Sequence, residues 1–361
     1  MITEIQIENY KSIQNLKMNL GRVNVFIGEN GCGKSNILEA IALASAAATD
    51  KLDNEYLAPR GIRVVEPELM RSAFQQENLI KEIKISLKWD KESEFSFELH
   101  HDNKPYSKWK NNIEPPKHNV TVYKTDSVHS LIEKGLKHSI LFFLIYAPEN
   151  TALRSLNEEG RIQPLGIKGE GLFKLLRVIS YESYESPDQI NEIKEKLKLL
   201  DWFEDFEIAQ GSFGSENRIQ IRDRYLDENL PFFDQRSSNE GFLFLMFYFT
   251  LFISNYTPKF FAIDNIDASL NPKLCTRLIK ELVELAKKHD KQVILTTHNP
   301  AILDGLNLDD EDQRLFTIYR NISGHTKAKR ILKPQPLEGQ KSVKLSESFM
   351  RGYIGGLPEG F

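Results

Sequence analysis

Apolar and polar residues alternate at the start of the chain and then follow a helical period. Ile2, Ile5 and Ile7 lie near one alternating face, and the short β-branched run at residues 22–28 ends in glycine, so both segments predict β-strands. Residues 34–48 are rich in alanine and repeat apolar positions every three or four residues, which predicts a helix. We therefore expect a strand, a glycine turn and a helix in succession.

Further along, the pattern changes from strands to helices and then alternates between them. Strands are predicted at residues 80–89, 94–100, 118–124 and 139–147. Helices at residues 169–179 and 186–203 precede a hairpin at 206–223. The last part gives, in order, an apolar helix from residue 241, a strand at 259–264, a helix at 272–289 and a strand at 291–298. Such alternation indicates parallel strands covered by helices.

These patterns predict an α/β fold: a mixed sheet with a parallel core covered by helices, an antiparallel β subdomain and a helical insertion. We divide the chain into an N-terminal lobe of residues 1–147, a mainly helical insertion with a hairpin at 148–224, and a C-terminal lobe at 225–361.

Composition adds limits on location and partners. The chain has 361 residues, 40% of them hydrophobic, and a net charge of -4, which excludes a wholly basic coat for nucleic acid. Cys32 and Cys275 cannot form a disulfide framework. The N-terminus lacks the apolar core of a signal peptide, and the apolar run at 241–253 is too short to span a bilayer. We expect a cytoplasmic protein without a membrane anchor.

Lysines and aromatic residues are interleaved between residues 103 and 138. The set comprises Lys104, Lys108, Lys110, Lys117, Lys124, Lys134 and Lys137, with Tyr106, Trp109 and Tyr123. Such a stretch can follow a nucleic-acid backbone and stack bases. Lysine-rich surface loops are common, however, so nucleic-acid binding stays the alternative to an ordinary solvated surface.

The strongest motif lies between the apolar strand and the alanine-rich helix. Gly28–Ser35 satisfies G-x-x-x-x-G-K-[ST], in which glycines let backbone N–H groups turn toward phosphates at a helix N-terminus. Lys34 is predicted to reach the β and γ phosphates, and Ser35 to ligate Mg²⁺. We predict ATP as the nucleotide, bound by Gly28, Glu29, Asn30, Gly31, Cys32, Gly33, Lys34, Ser35 and Asn36.

NVFIGENGCGKSNILEAI, preceded by IENYKSI, resembles the N-terminal signature of RecF-like and structural-maintenance-of-chromosomes (SMC) ATPases. These are ABC-type ATPase heads, in which two subunits clamp two ATP molecules between them. The resemblance covers both ends of the chain and leaves its middle unmatched. It implies an ABC-type P-loop ATPase head that forms a homodimer or higher oligomer.

The resemblance assigns roles to four further segments. KFFAID is the Walker B strand, whose Asp264 binds magnesium, and His298 is the switch histidine that contacts the γ-phosphate. ASLNP at residues 268–272 resembles the D-loop, which crosses the dimer interface. The signature motif is matched by a set that departs from LSGGQ: Ser237, Ser238, Asn239 and Gly241. A plain helix N-cap is the alternative there. The glutamine loop lies at Gln75 and Gln76 or at Gln163.

Asn265 departs from the family pattern. The SMC-type sequence D-E-V-D-A-A-L-D has glutamate at this position, and a second acid is replaced at Asn271. Asp267 is the acid that the pattern already carries, so it is not a substitute. An amide can hydrogen-bond the attacking water but cannot accept its proton, so we expect slow hydrolysis by a catalytic set of Lys34, Asp264, Asn265 and His298.

The compact layout looks most like small RecF/OLD-like (AAA_21-like) ATPases, which are often encoded in bacterial anti-phage defence operons. That resemblance implies a separate effector protein, such as a nuclease or toxin, because no TOPRIM nuclease segment is expected after His298. Two alternatives stay open: a non-hydrolysing, ATP-gated scaffold or switch, and a RecF-like DNA repair ATPase that acts on DNA.

Overall fold

The computed structural model describes residues 1–89, 94–114, 140–155, 160–182, 188–209, 218–230, 232–333 and 343–357. The strands are β1 Glu4–Tyr10, β2 Ile13–Asn19, β3 Val23–Ile27, β4 Ile83–Lys88, β5 Glu94–His100, β6 Lys110–Glu114, β7 Ile145–Tyr146, β8 Phe203–Ala209, β9 Arg218–Asp223, β10 Phe233–Asp234, β11 Phe260–Ile263, β12 Gln292–Thr296, β13 Gln313–Arg320 and β14 Thr326–Ile331. The helices are α1 Lys34–Ala48, α2 Asn54–Leu57, α3 Pro67–Met70, α4 Asn150–Arg154, α5 Leu172–Glu182, α6 Asp188–Leu197, α7 Glu240–Ile253, α8 Pro272–Lys288, α9 Pro300–Leu303 and α10 Leu345–Met350. None of these described helices is long and apolar enough to cross a membrane.

The chain forms two compact units, each built from separated segments. Unit 1 contains Met1–Ile145, Pro258–Ile266 and Gln292–Phe361, and unit 2 contains Tyr146–Thr257 and Asp267–Lys291. The chain therefore leaves unit 1 and returns to it twice. The three-part division along the chain that the sequence suggests stays a prediction.

Unit 1 is organised by two sheets. One is antiparallel with strand order β2-β1-β4-β5-β6, and the other has the order β14-β13-β3-β12-β11-β7. In the second sheet β3 pairs in parallel with β12 and β13, β12 pairs in parallel with β11, and β14 is antiparallel to β13. The predicted α/β fold with a mixed sheet, a parallel core and an antiparallel β subdomain is confirmed.

Helix α1 is buried along nearly its whole length. It shares one apolar cluster with Ile5 and Ile85 of the antiparallel sheet and with Phe26 and Ile294 of the mixed sheet. Alanine suits this position because small side chains let a helix approach its neighbours closely at the density of a protein interior. The packing fixes the N-terminus of α1 against the end of β3.

Unit 2 contains a helix that is apolar on every side. All residues of α7 from Phe242 to Ile253 are buried, as a uniformly apolar helix requires. Helix α8 is amphipathic, with Leu278 buried and Lys280 exposed. The three-stranded sheet β10-β9-β8 completes this unit, and the antiparallel pairing of β8 with β9 confirms the predicted hairpin.

Some predicted elements are wrong or lie elsewhere. Only Ile145–Tyr146 of the strand predicted at residues 139–147 is a strand, because Ile140 and Phe143 are buried in a turn that the Phe143 N–H closes onto the Ile140 carbonyl. The helix predicted at 186–203 ends at Leu197. The strand predicted at 118–124 lies outside the described residues, as does most of the lysine-rich stretch. Strands β2, β6, β13 and β14 were not predicted.

Candidate functional site

The parallel strands of unit 1 bring three predicted site segments to one edge of the mixed sheet. Gly28 follows β3, Asp264 follows β11 and His298 lies just beyond β12. Because β12 lies between β3 and β11 and all three run in the same direction, their carboxyl ends meet. The Thr297 N–H donates to the Phe26 carbonyl at 3.2 Å and ties two of these ends together.

The phosphate-binding loop depends on glycine at defined positions. Gly28 and Gly33 have φ angles of 151° and 108°, in the range that favours glycine. A Cβ atom on Gly33 would lie 2.1 Å from Thr326 Oγ1, and one on Gly28 would lie 2.2 Å from the Ile318 carbonyl oxygen. The backbone can therefore come this close to β13 and β14 only because these residues lack side chains.

Lys34 begins α1 with its ammonium group turned back over the loop. Its Nζ donates to the carbonyl oxygens of Gly28 at 2.7 Å and Glu29 at 3.0 Å. Burial lowers the pKa of Lys34, while the nearby Cys32 thiol and the Asp264 carboxylate act in the opposite direction. Asn30 and Gly31 are exposed at the tip of the loop. The arrangement places one cation and the loop backbone where triphosphate oxygens are expected.

Residues from distant segments brace this loop, and sequence patterns did not indicate them. Arg320 Nε donates to the Gly31 carbonyl at 2.8 Å, and Thr326 Oγ1 donates to the Cys32 carbonyl at 2.8 Å. Thr326 Oγ1 lies 2.7 Å from Ser12 Oγ, to which Asn36 Nδ2 donates at 2.6 Å. The β1–β2 turn and the β13–β14 hairpin thus hold the loop in place.

A cavity of about 430 Å³ adjoins the loop. Its lining combines cationic, polar and apolar side chains, including Lys11, Ser12, Asn36, Arg63, Phe74 and Arg320. The Arg320 guanidinium lies 6.0 Å from the centre of the Phe74 ring. Stacking surfaces beside hydrogen-bonding groups suit a planar, polar ligand.

Two predicted metal ligands, Ser35 and Asp264, lie together at this edge. Ser35 Oγ is 3.4 Å from one carboxylate oxygen of Asp264, and the other oxygen accepts a hydrogen bond from the Thr296 hydroxyl. Hydroxyl and carboxylate oxygens are the hard ligands that Mg²⁺ prefers, and it usually completes its shell with water and phosphate. These residues fit Mg²⁺. Within the described ranges, no cluster of three or more His, Cys, Asp or Glu side chains could hold a metal.

Asn265 and His298 both face outward. Asn265 is exposed with a φ angle of 56°, and its N–H donates to Thr296 Oγ1 at 2.9 Å. His298 is exposed in the turn before α9, which Asn299 caps by accepting from the Ala301 N–H at 3.0 Å. Thr296 therefore orients both the Asp264 carboxylate and the Asn265 backbone, a role that the sequence did not reveal.

The signature-like residues form a turn at the start of α7 in unit 2. Asn239 is the N-cap and accepts from the Phe242 N–H at 2.8 Å, while Ser237 is exposed. Ser238 is buried, and its hydroxyl donates to the Gln235 carbonyl at 3.1 Å. A Cβ on Gly241 would make only ordinary contacts, the nearest at 3.5 Å. The structure thus brings the four residues together.

The D-loop-like segment lies in the same unit, whereas the glutamine-loop candidates are split between units. Ser269 is exposed with a φ angle of 59°, and Asn271 caps α8 by accepting from the Leu274 N–H at 2.9 Å. Gln75 of unit 1 accepts from Gln14 at 3.3 Å, and Gln163 of unit 2 accepts from Lys174 at 3.4 Å. The position of a glutamine loop stays a prediction.

A family model named AAA_21 and described as "AAA domain, putative AbiEii toxin, Type IV TA system" matches residues 23–304. That span includes the phosphate-binding loop, the signature-like turn and His298.

Among the solved structures that resemble this chain, two SMC heads are similar over most of its length. One is an SMC head bound to the C-winged helix domain of ScpA, with a TM-score of 0.63 and 15% identity over 92% of this chain and 98% of that one. The other is an SMC head with an extended coiled coil, bound to the C-terminal domain of ScpA derived from Pyrococcus furiosus, with a TM-score of 0.56 and 12% identity over 92% and 96%. At these identities the likeness shows the fold.

Curated relatives match a shorter segment. The DNA replication and repair protein RecF of Bacillus mycoides is 42% identical over 55 residues, which are 15% of this chain and 15% of that protein. RecF of Bacillus cytotoxicus is 40% identical over 55 residues, with the same coverage. The chain thus spans only a small part of the length of these relatives.

Proposed function

This chain belongs to the AAA_21 domain family, and we propose that it is an ABC-type ATPase subunit that binds ATP with Mg²⁺ and hydrolyses it slowly. We further propose that ATP joins two copies head to tail and that the dimer controls a separate effector protein in anti-phage defence. The fold of an SMC head and the site geometry of unit 1 support the ATPase. The family description, which names a toxin–antitoxin system, supports the effector.

The observation that carries slow hydrolysis is the amide at position 265. Asn265 directly follows the predicted metal ligand Asp264, and the Asn265 N–H is tied to Thr296. A glutamate held there would accept a proton from the attacking water, whereas an asparagine can only orient that water. We therefore expect a dimer that forms readily when ATP binds and dissociates slowly because ATP is hydrolysed slowly.

The chain's own groups have separate tasks in this proposal. Loop N–H groups and Lys34 hold the phosphates, and Ser35 and Asp264 hold Mg²⁺, which would neutralise charge on the phosphate oxygens when bound. His298 contacts the terminal phosphate, and Asn265 orients the water. The base and ribose occupy the cavity beside Phe74 and Arg320.

The test compares wild type with Asn265→Glu, Asn54→Glu and Lys34→Ala. We expect phosphate release by Asn265→Glu to exceed that of wild type by on the order of a hundredfold, because a general base is restored. Asn54→Glu is the matched control: it makes the same amide-to-carboxylate change at an exposed residue of α2, outside the predicted site, and should leave turnover unchanged. Lys34→Ala should lose ATP binding, and wild type should dimerise with ATP on a sizing column.

Several results would contradict the proposal. Fast wild-type turnover that Asn265→Glu does not raise would refute slow hydrolysis, and undiminished ATP binding by Lys34→Ala would refute the phosphate loop. Zero turnover in wild type and in Asn265→Glu would favour the non-hydrolysing switch. Inorganic triphosphate that binds as tightly as ATP would place the base outside the cavity.

The effector needs its own experiment. Wild type and Lys34→Ala are purified from cells that carry the native operon, with ATP and Mg²⁺ present. We expect a second protein to accompany wild type and to be depleted with Lys34→Ala. Equal recovery with both proteins would contradict control by ATP.

The RecF-like alternative is favoured by the RecF matches and by the basic edge strand β14, which carries Lys327, Lys329 and Arg330. Phosphate release that rises with added duplex DNA and falls as salt increases would support it over the effector model.

A further inference from the structure

Arg154, the last residue of α4, donates hydrogen bonds to the backbone of the signature-like turn. Its guanidinium donates to three carbonyl oxygens: Gln235 at 3.1 Å, Arg236 at 2.6 Å and Ser238 at 2.8 Å. Its Nε also donates to the Asn150 side-chain oxygen at 2.8 Å. A planar guanidinium suits such a set of acceptors because its five N–H groups have fixed directions.

A second element also holds the turn. Gln235 is buried, and its side-chain oxygen accepts from the Ile219 N–H of β9 at 3.0 Å. Ala152 and Leu153 of α4 are buried as well. The turn between β10 and α7 is therefore hydrogen-bonded both to α4 and to β9.

A second set of bonds joins this assembly to the D-loop-like segment. Asn150 Nδ2 donates to one carboxylate oxygen of Glu240 at 2.7 Å, and the Ser269 hydroxyl donates to the other at 2.9 Å. Glu240 is in the first turn of α7, directly after Asn239. The turn and the segment, two surfaces predicted to meet the partner subunit, are thus connected through Glu240, which Asn150 of α4 also contacts.

We propose that Arg154 is a positioning residue for the composite ATP site: it holds the signature-like turn, and through Asn150 and Glu240 the D-loop-like segment, in the form that receives the partner's nucleotide. This role rests on the proposed function. Its consequence is specific, because a defect in Arg154 impairs the partner's nucleotide site and spares ATP binding at the phosphate loop of its own chain.

Arg154→Ala, Arg154→Lys and Arg177→Ala test the role. Arg177 is the control, an exposed arginine on α5 of the same unit. We expect Arg154→Ala to bind ATP as wild type does. Its ATP-dependent dimer should be weaker by on the order of tenfold to a hundredfold, because a small displacement of the signature-like turn is enough to impair the composite site. Arg154→Lys restores part of the dimer, because one ammonium cannot serve three carbonyls in a plane. Arg177→Ala behaves as wild type.

Mixing variants separates action on the partner's site from action on a chain's own site. Alone, Arg154→Ala dimerises weakly and Lys34→Ala does not dimerise, but a mixed dimer contains one site with an intact phosphate loop and an intact signature-like turn. We expect the mixture to recover ATP-dependent dimers. No recovery would overturn the role, as would weakened ATP binding by Arg154→Ala alone.

Two further outcomes are distinguishable. Wild type that stays monomeric with ATP would refute the proposed dimer and this role with it. Wild type that dimerises together with an unaltered Arg154→Ala would refute the positioning role alone. If thermal unfolding shows that Arg154→Ala does not fold, Arg154→Lys and Asn150→Ala are each mixed with Lys34→Ala instead, and we expect each mixture to form more ATP-dependent dimer than either variant alone.

Discussion

Two regions are built in opposite ways: the edge of the mixed sheet that carries the phosphate-binding loop, and the signature-like turn of unit 2. The first uses one continuous loop, Gly28–Ser35, and the ends of parallel strands, so backbone geometry demands particular residues. The second is assembled from side chains of separated segments, and Arg154 binds carbonyl oxygens that any residue possesses. The sequence of the turn can therefore depart from LSGGQ without losing its hydrogen bonds to Arg154. The sequence of the loop can vary little, because Gly28 and Gly33 leave no room for a side chain.

Among variants that test this contrast, the largest effect is expected at Gly33. An alanine there would adopt an unfavourable positive φ and would place its Cβ 2.1 Å from Thr326 Oγ1. Strain and overpacking together cost roughly 3 kcal/mol, which corresponds to ATP binding weaker by about a hundredfold. Calorimetry with ATP and Mg²⁺ measures the change for Gly33→Ala.

Gly31→Ala is the matched control in the same loop. Gly31 also has a positive φ, 77°, but a Cβ there meets no atom within 4 Å. Its cost is limited to about 1 kcal/mol of backbone strain, so ATP binding should weaken by less than about tenfold. Equal losses at both positions would contradict the close approach of β14 as the reason for Gly33.

A smaller effect is expected at Asn239. Asn239→Ala removes the side-chain cap of α7 and should lower the free energy of unfolding by about 1 kcal/mol in urea titrations. ATP binding to the monomer should stay unchanged, because the residue lies in unit 2. The ATP-dependent dimer should weaken if Asn239 also meets the partner's nucleotide.

Asp53→Ala separates these two effects of Asn239. Asp53 caps α2 in unit 1 by accepting from the Tyr56 N–H at 2.9 Å, so its loss should cost a similar free energy of unfolding. The dimer should be unaffected by Asp53→Ala. If both variants dimerise equally well, Asn239 is a plain N-cap and the signature role is contradicted.

Local sequence predicted the parts of the site that local geometry fixes. The β3–loop–α1 succession followed from apolar period and glycine spacing, and the parallel order then placed Asp264 and His298 at the same edge. The predicted α/β class is confirmed for the same reason, since alternating helices and strands favour parallel pairing. The roles of the individual site residues stay predictions.

The hydrogen bonds that hold the loop and the turn could not be predicted, because they join residues far apart in the chain. Thr326 reaches Cys32, and Arg154 reaches Ser238, through single hydrogen bonds that leave no periodic pattern in either segment. The strand predicted at residues 139–147 failed for a related reason. An apolar run indicates burial, but burial in a turn and burial in a sheet look alike in a short run.

The segments of the two units alternate along the chain, which affects the order in which parts of the protein can fold during synthesis. Strand β3 pairs with β12 and β13, which the ribosome produces only after the whole of unit 2. Strand β3, which precedes the phosphate-binding loop, therefore has no partner strand for most of translation, and unit 2 can fold during that time. A nascent chain that ends before β13 lacks Arg320 and Thr326, so the carbonyl oxygens of Gly31 and Cys32 gain their side-chain hydrogen bonds only after β14 has been synthesised.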